Sequence, residues 1–174
     1  MSYAIWFSGL SGAGKTSIAG ALAGKLRAHN IPVVVLDGDE VRKTLSSDLG
    51  YTLKERDTHI RRIAQLCKLI VKNGIIVIAS VISPKKEIRE EARASIGKEK
   101  FIEVFIDCPL EICKERDPQG HYKKVQDKQI TEFVGITIPY EAPEHPDVHC
   151  PTHQLSKQEC VERIWDELKK RGAL

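Results

Sequence analysis

Apolar residues along this chain fall into two alternating patterns. Short runs of β-branched, aromatic and aliphatic residues recur at Ala4–Phe7, Val33–Leu36, Ile75–Ala79 and Phe101–Ile106, with a weaker fifth near Asp147–Cys150. They do not alternate with polar residues, which is the mark of strands buried on both faces of a parallel sheet. Between them lie stretches with a helical period. Lys15–His29 sets Ile18, Leu22 and Leu26 four residues apart, on one face. Lys54–Lys72 carries Ile60, Ile63, Leu66, Cys67 and Ile70. Lys157–Lys170 carries Cys160, Val161, Ile164, Trp165 and Leu168 on one stripe, with charge elsewhere. This strand–helix alternation predicts a three-layer α/β fold built on a five-stranded parallel sheet.

One region breaks the rhythm. From Asp117 to Pro146 there is no long apolar run, only Asp117-Pro118-Gln119-Gly120, a basic pair at Lys123 and Lys124, then Phe133, Gly135 and three prolines. In a compact enzyme such a stretch is expected to be a lid or binding loop. No repeat or linker interrupts the 174 residues, so a single domain over 1–174 is expected, with the lid at about 117–146.

Composition narrows the function. Hydrophobic residues are 41% and charged residues 29% of the chain, ordinary for a globular protein. The net charge of +3 is too mild to point to nucleic acid and suits a small anionic substrate. No apolar run approaches the length of a membrane span. Met1–Phe7 has no basic region ahead of its apolar residues, so it is expected to be a strand and not a signal peptide. The five cysteines are odd in number and form no CxxC pair; with no export signal, they are expected to be reduced thiols in a cytoplasm. The run His145, His149, Cys150, His153 crosses Pro146 and Pro151 with no standard zinc spacing, and is expected to be a loop beside a strand.

The chemistry begins at Gly9-Leu10-Ser11-Gly12-Ala13-Gly14-Lys15-Thr16, which fits G-x-x-x-x-G-K-[ST] in full. It follows a strand and opens a helix, as a phosphate cradle requires. Glycines let successive backbone N–H groups face one point, and the helix adds its positive end. Lys15 is then expected to reach the β- and γ-phosphates, and the Thr16 hydroxyl to ligate Mg²⁺. A cradle means a nucleoside triphosphate, not a kinase; a GTPase switch or an ATPase motor shares it. The chain is small for a motor and carries no N/T-K-x-D guanine-reading segment.

A kinase also needs a carboxylate beside an acceptor hydroxyl. Val33–Leu36 runs into Asp37-Gly38-Asp39-Glu40-Val41-Arg42, at the strand end where open α/β sheets bind ligands. Asp39 is the candidate to orient or deprotonate the acceptor hydroxyl, and Asp37 to complete the Mg²⁺ shell. The structural alternative has Asp37 starting a turn and Asp39 capping the next helix.

These residues resemble the LDGDxxR motif of adenylylsulfate (APS) kinases. Asp48-Leu49-Gly50-Tyr51, Ile60-Arg61-Arg62-Ile63, Ile82-Ser83-Pro84, Glu115-Arg116-Asp117-Pro118, Tyr122-Lys123-Lys124, Phe133-Val134-Gly135-Ile136 and Pro139-Tyr140-Glu141-Ala142-Pro143 resemble that family in order, from about Ile5 to Pro146. The resemblance implies a P-loop kinase fold and transfer of the ATP γ-phosphoryl to the 3′-hydroxyl of adenylyl sulfate. It implies that Arg42 and Arg56 hold the acceptor's phosphate–sulfate group, that Tyr51 and Phe133 sandwich its base, and that His59, Ile82 and Ser83 line its pocket. Ser83 matches the serine described in the family as forming a phosphoryl-enzyme; lining the pocket is its alternative role. Lys123 and Lys124 would close over phosphates, and Arg116 would sit near ATP. A homodimer is also implied.

The chain departs from the family at Tyr51 (usually Phe), His59 (often Asn), Val81 (often Phe or Ala), Val134 (often Thr) and Thr137-Ile138 (often Asp-Asp). Two other functions therefore stay open. One is a sister kinase acting on the ribose of another nucleotide, such as a cytidine diphosphoramidate used in capsule-sugar modification. The other is a non-catalytic nucleotide-binding regulatory protein.

Overall fold

A computed structural model describes all 174 residues. The strands are β1 (Ala4–Ser8), β2 (Val33–Asp37), β3 (Ile76–Ser80), β4 (Phe101–Asp107) and β5 (Val148–Pro151), each within a residue or so of the sequence expectation. They form one parallel sheet in the order β2-β3-β1-β4-β5. Parallel neighbours need long crossovers. These are supplied by α1 (Lys15–Ala28), α2 (Gly38–Lys43), α3 (Leu53–Lys72), α4 (Lys86–Ile96), α5 (Leu110–Arg116) and α6 (His121–Gln126), and α7 (Lys157–Lys170) follows β5.

The sheet separates two cores. On one face Ile5, Phe7, Ile78 and Val104 meet Ile18, Leu22 and Leu26 of α1 and Val161, Ile164 and Leu168 of α7. On the other Trp6, Val77 and Ala79 meet Ile60, Ile63 and Cys67 of α3 and Ile88 and Ala92 of α4. β1 is buried throughout, as the middle strand must be, while β2 at the edge is only half-buried. All five cysteines are free and buried.

Three features differ from the sequence pattern. β4 does alternate: Glu103, Phe105 and Asp107 are partly exposed. Glu103 is tolerated because Arg89 and Arg93 of α4 reach it at 3.0 and 3.1 Å, and an enclosed carboxylate needs such partners. α4 is not among the predicted helices: Ile88, Ala92 and Ile96 keep one face, but the stripe is short and the charged Arg89 is buried beside it. The segment 117–146 also has more core character than its composition implies. It contains α6 and buries Tyr122, Phe133, Val134 and Ile138. Tyr122 packs edge-on against Phe133 with ring centres 5.0 Å apart, and its hydroxyl donates to the Ser11 carbonyl at 2.7 Å. The proposed lid is thereby stitched to the phosphate cradle. No helix is long and apolar enough to cross a membrane.

Candidate active site

All five strands end on the same edge of the sheet, and the loops leaving them enclose a cleft of about 1950 Å³. A drug-sized ligand pocket is roughly 300–1,000 Å³, so this cleft has room for two nucleotide-sized guests. One wall is the loop after β1 with the start of α1, residues Ser11–Ile18; the opposite wall is built from Asp37–Asp39, Arg42, Lys43, Tyr51, Arg56 and His59, with Ser80–Pro84 between them.

Backbone sterics build the cradle. A Cβ on Gly9 would stand 2.3 Å from the Ile106 carbonyl oxygen, so no other residue fits there without the strand moving. Gly12 has φ +78° and its backbone lies against the Cys113 carbonyl, where a Cβ would come to 2.9 Å. Lys15 folds back into the ring, donating to the carbonyls of Gly9 at 2.9 Å and Leu10 at 2.7 Å. Burial pushes its ammonium down to about 8, against the opposing pull of Cys113, Asp39 and Asp37. Gly9 and Leu10 thus serve the site from behind: they are not cleft-lining, but they hold the lysine. The Ala13 carbonyl accepts from Thr152 Oγ1 at 2.7 Å, and Arg116 donates to Ala13 at 3.4 Å and to the Thr152 carbonyl at 3.0 Å. Nothing in the sequence pattern marked Thr152.

The two carboxylates after β2 divide their duties. Asp37, not Asp39, caps α2: its Oδ1 accepts the Asp39 amide at 3.0 Å. Its Oδ2 accepts the Thr16 hydroxyl at 2.9 Å. The structural alternative in which Asp39 caps the helix is therefore set aside, and the Asp39 side chain is left for other work. Asp39 Oδ2 accepts from Gln119 Nε2 of the 117–146 segment at 3.2 Å, a partner that no motif marks. Thr16 and Asp37 bring two hard oxygen donors together beside the cradle, a donor set that fits Mg²⁺.

Arg42 and Arg56 both lie over the exposed Tyr51 ring, with guanidinium carbons 4.6 and 5.3 Å from its centre. Their hydrogen bonds go to carbonyls: Arg42 to Gly50 at 2.7 Å, Arg56 to Tyr51 at 2.8 Å and across the cleft to Glu132 at 3.0 Å. Neither makes a salt bridge, and burial followed by the charge of Arg42 lowers the pKa of Arg56. Two close cations without a carboxylate partner attract an anion. Phe133 and Lys124 line the same cleft, whereas Lys123 is exposed outside it, its amide donating to Asp117. Ile82 and Ser83 line the floor; Ser83 is buried, its Oγ lacks a partner, and its backbone is left-handed at φ +48°.

Of the positions where the chain departs from the resembled pattern, Tyr51, His59 and Val81 line the cleft and Val134, Thr137 and Ile138 do not. Thr137 shapes the segment instead: its hydroxyl accepts the Phe133 amide at 2.8 Å and donates to the Thr131 carbonyl at 3.0 Å. His59 lies behind the Asp37–Asp39 turn, with Nε2 3.0 Å from the Gly38 carbonyl oxygen. That contact requires Nε2 to carry the proton, which leaves the buried, unpaired Nδ1 as an acceptor. Burial and the nearby Arg42 lower the imidazole to about 4, with Gly38 and Asp39 opposing and Arg62 adding to the fall. Below its ordinary 6.5, the unfolded chain takes up a proton that the folded chain refuses, so stability falls as pH drops from 6.5 towards 4. At pH 5 the loss expected from this group is about 2 kcal/mol, at about 1.4 kcal/mol per pH unit. His59→Asn should flatten that part of the profile. Urea midpoints at pH 7 and pH 5 check it, and equal losses in both proteins would show that His59 takes up its proton in the fold.

A triphosphate cradle on the middle strand of a parallel sheet, facing a carboxylate and a cationic second pocket, defines a P-loop phosphotransferase. A sequence profile described as "Adenylylsulphate kinase" matches residues 1–151. The chain is 47% identical to an adenylyl-sulfate kinase of Rippkaea orientalis over 98% of this chain and 93% of that protein. It is 45% identical to one from Synechococcus over 98% and 96%. The structure superposes on that of the Mycobacterium tuberculosis APS kinase in complex with AMPPNP and APS with a TM-score of 0.93, at 38% identity, covering 97% of this chain and 98% of that one. This chain belongs to the adenylylsulphate kinase family.

Proposed function

We propose that this protein uses ATP and Mg²⁺ to phosphorylate the 3′-hydroxyl of adenylyl sulfate, giving 3′-phosphoadenylyl sulfate. The observation that carries the reading is the pair Arg42 and Arg56 beside Tyr51, neither in a salt bridge, in one cleft with the cradle and Asp39. An acceptor with an aromatic base and an adjacent doubly anionic group satisfies that wall. The solved relative in complex with AMPPNP and APS supports a cleft that takes both guests.

In this reading the cradle amides and Lys15 hold the triphosphate, and Arg116, which lines the cleft, braces the cradle at Ala13 near ATP. Thr16 and Asp37 would hold Mg²⁺, which when bound neutralises charge on the β- and γ-phosphates. Arg42 and Arg56 anchor the acceptor's phosphate–sulfate group, and Tyr51 and Phe133 hold its base. His59, Ile82 and Ser83 shape the pocket floor, Asp39 orients the hydroxyl and accepts its proton, and Lys124 closes with the lid. Excluding water protects the transferring group from hydrolysis. Ser83, buried with its hydroxyl enclosed, serves as a wall and not as an obligatory phosphoryl carrier. A cytoplasmic setting goes with five buried free thiols, and a homodimer with the family resemblance; light scattering would read twice the 19.5 kDa chain mass.

The test is a panel of acceptors with ATP and Mg²⁺, scored by ADP release, with phosphorus NMR locating the new phosphate. Adenylyl sulfate is expected to exceed cytidine diphosphoramidate and other nucleotides by at least about tenfold in kcat/KM. The reverse order would move the reading to a sister kinase. ATP binding with no acceptor consumed would point to a regulatory protein.

A further inference from the structure

We infer that Arg89 is a positioning residue for the acceptor pocket, its buried guanidinium clamping the loop after β3 to the segment where the 117–146 region rejoins the body. The inference rests on the reading above only in naming the guest of that pocket. Arg89 is 3% exposed and lies in α4, remote from the cradle in sequence. Its Nη1 donates to the Ser83 carbonyl at 2.8 Å, its Nη2 to the Glu141 carbonyl at 2.6 Å and its Nε to Glu103 at 3.0 Å. The guanidinium also lies over the Tyr140 ring, 6.0 Å from its centre. The two clamped segments hold each other as well. The Glu141 amide donates to the Pro84 carbonyl at 2.8 Å, and the Glu141 carboxylate accepts the Lys86 amide at 2.6 Å.

The clamp matters because of what Ser83 is. It is a non-glycine residue at φ +48°, a conformation kept only when its surroundings over-determine it. Its hydroxyl is buried without a partner, so its own hydrogen bonds do not fix its direction. The backbone fixes it, and Arg89 holds that backbone. Ile82, Ser83 and Pro84 all line the cleft, and the Ile82 carbonyl accepts the Gly9 amide at 3.4 Å. A small shift of this loop would therefore misplace the acceptor pocket. Lysine cannot substitute: it keeps the charge opposite Glu103, yet lacks the planar fork that reaches two carbonyls at once. Arg93, one turn along α4, supplies the control. It pairs with the same Glu103 and with Asp147, and has no hydrogen bond to either clamped segment.

Arg89→Lys and Arg93→Lys in the full chain test the inference. In Arg89→Lys the KM for adenylyl sulfate should rise about tenfold while the KM for ATP stays within about twofold. Amide hydrogen exchange at residues 81–83 and 140–142 should quicken by at least about tenfold. Arg93→Lys should lower the melting temperature without either change. The inference is overturned if Arg93→Lys reproduces both changes, or if only one of the two appears in Arg89→Lys. If the wild-type protein turns over no adenylyl sulfate, the proposed function fails by itself. Exchange then decides alone: faster exchange at both segments in Arg89→Lys and not in Arg93→Lys upholds the clamp, and any other pattern overturns it.

Discussion

Asp39→Asn should lower kcat by about a thousandfold and leave ATP binding within about twofold. A positioned general base contributes roughly 10²–10⁴ in rate, and the side chain is free to act as one here because Asp37 does the capping. Asparagine keeps the shape and keeps an oxygen to accept from Gln119, so the turn at Asp37–Asp39 stays as it is. What goes is the negative charge and the capacity to take the hydroxyl proton. The loss should therefore fall on kcat and on kcat/KM alike, the pattern of an interaction made only in the transition state. Steady-state ADP release, paired with equilibrium binding of a non-hydrolysable ATP analogue, separates the two quantities. A fall of less than about tenfold in kcat would remove Asp39 from the chemistry and leave it a contact to the sugar.

Lys15→Ala should cost about a hundred- to a thousandfold in kcat/KM for ATP, the range for deleting one preorganised donor at developing charge. The ammonium is held 2.9 and 2.7 Å from two cradle carbonyls, so it is already inside the ring before nucleotide arrives. Burial also gives the free enzyme a titration near neutrality, since the lysine is lowered to about 8. The charged form exists below that value and is lost above it. In the wild-type protein kcat/KM for ATP should accordingly decline as pH rises through about 8, while in Lys15→Ala that decline is absent. A wild-type profile flat to pH 9.5 would show that the lysine keeps its proton in the cradle.

Much of the fold was readable because each strand carried its own label. Ala4–Phe7 and Ile75–Ala79 are continuous apolar runs since helices cover both faces of the sheet there. α4 was hard to see because its apolar stripe is only Ile88, Ala92 and Ile96, and the pairing of its own Arg89 and Arg93 with Glu103 of β4 is invisible to a hydrophobic period. The cradle was readable because close approach admits only glycine at two of its positions, and a chemical constraint that narrow leaves a fixed spacing. The division of labour between Asp37 and Asp39 was not. Both readings put a carboxylate at a helix start, and only the direction of the Thr16 and Asp39 donors decides between them. Lys123 and Lys124 were equivalent in sequence; the turn of α6 sends one into the cleft and the other away from it. Gln119, Thr152 and Arg89 act across separations in the chain of 80, 139 and 52 residues to Asp39, Ala13 and Glu141. No local pattern encodes such contacts.

The five walled-in thiols give the molecule an internal gauge of its own breathing. Cys67 is on the inner face of α3 on one side of the sheet, while Cys108, Cys113, Cys150 and Cys160 sit on the other. Burial raises Cys67 and Cys113 to about 12, so alkylation in neutral buffer must wait for an opening that admits water. Which sulfur is labelled first therefore reports which half of the sandwich parts first.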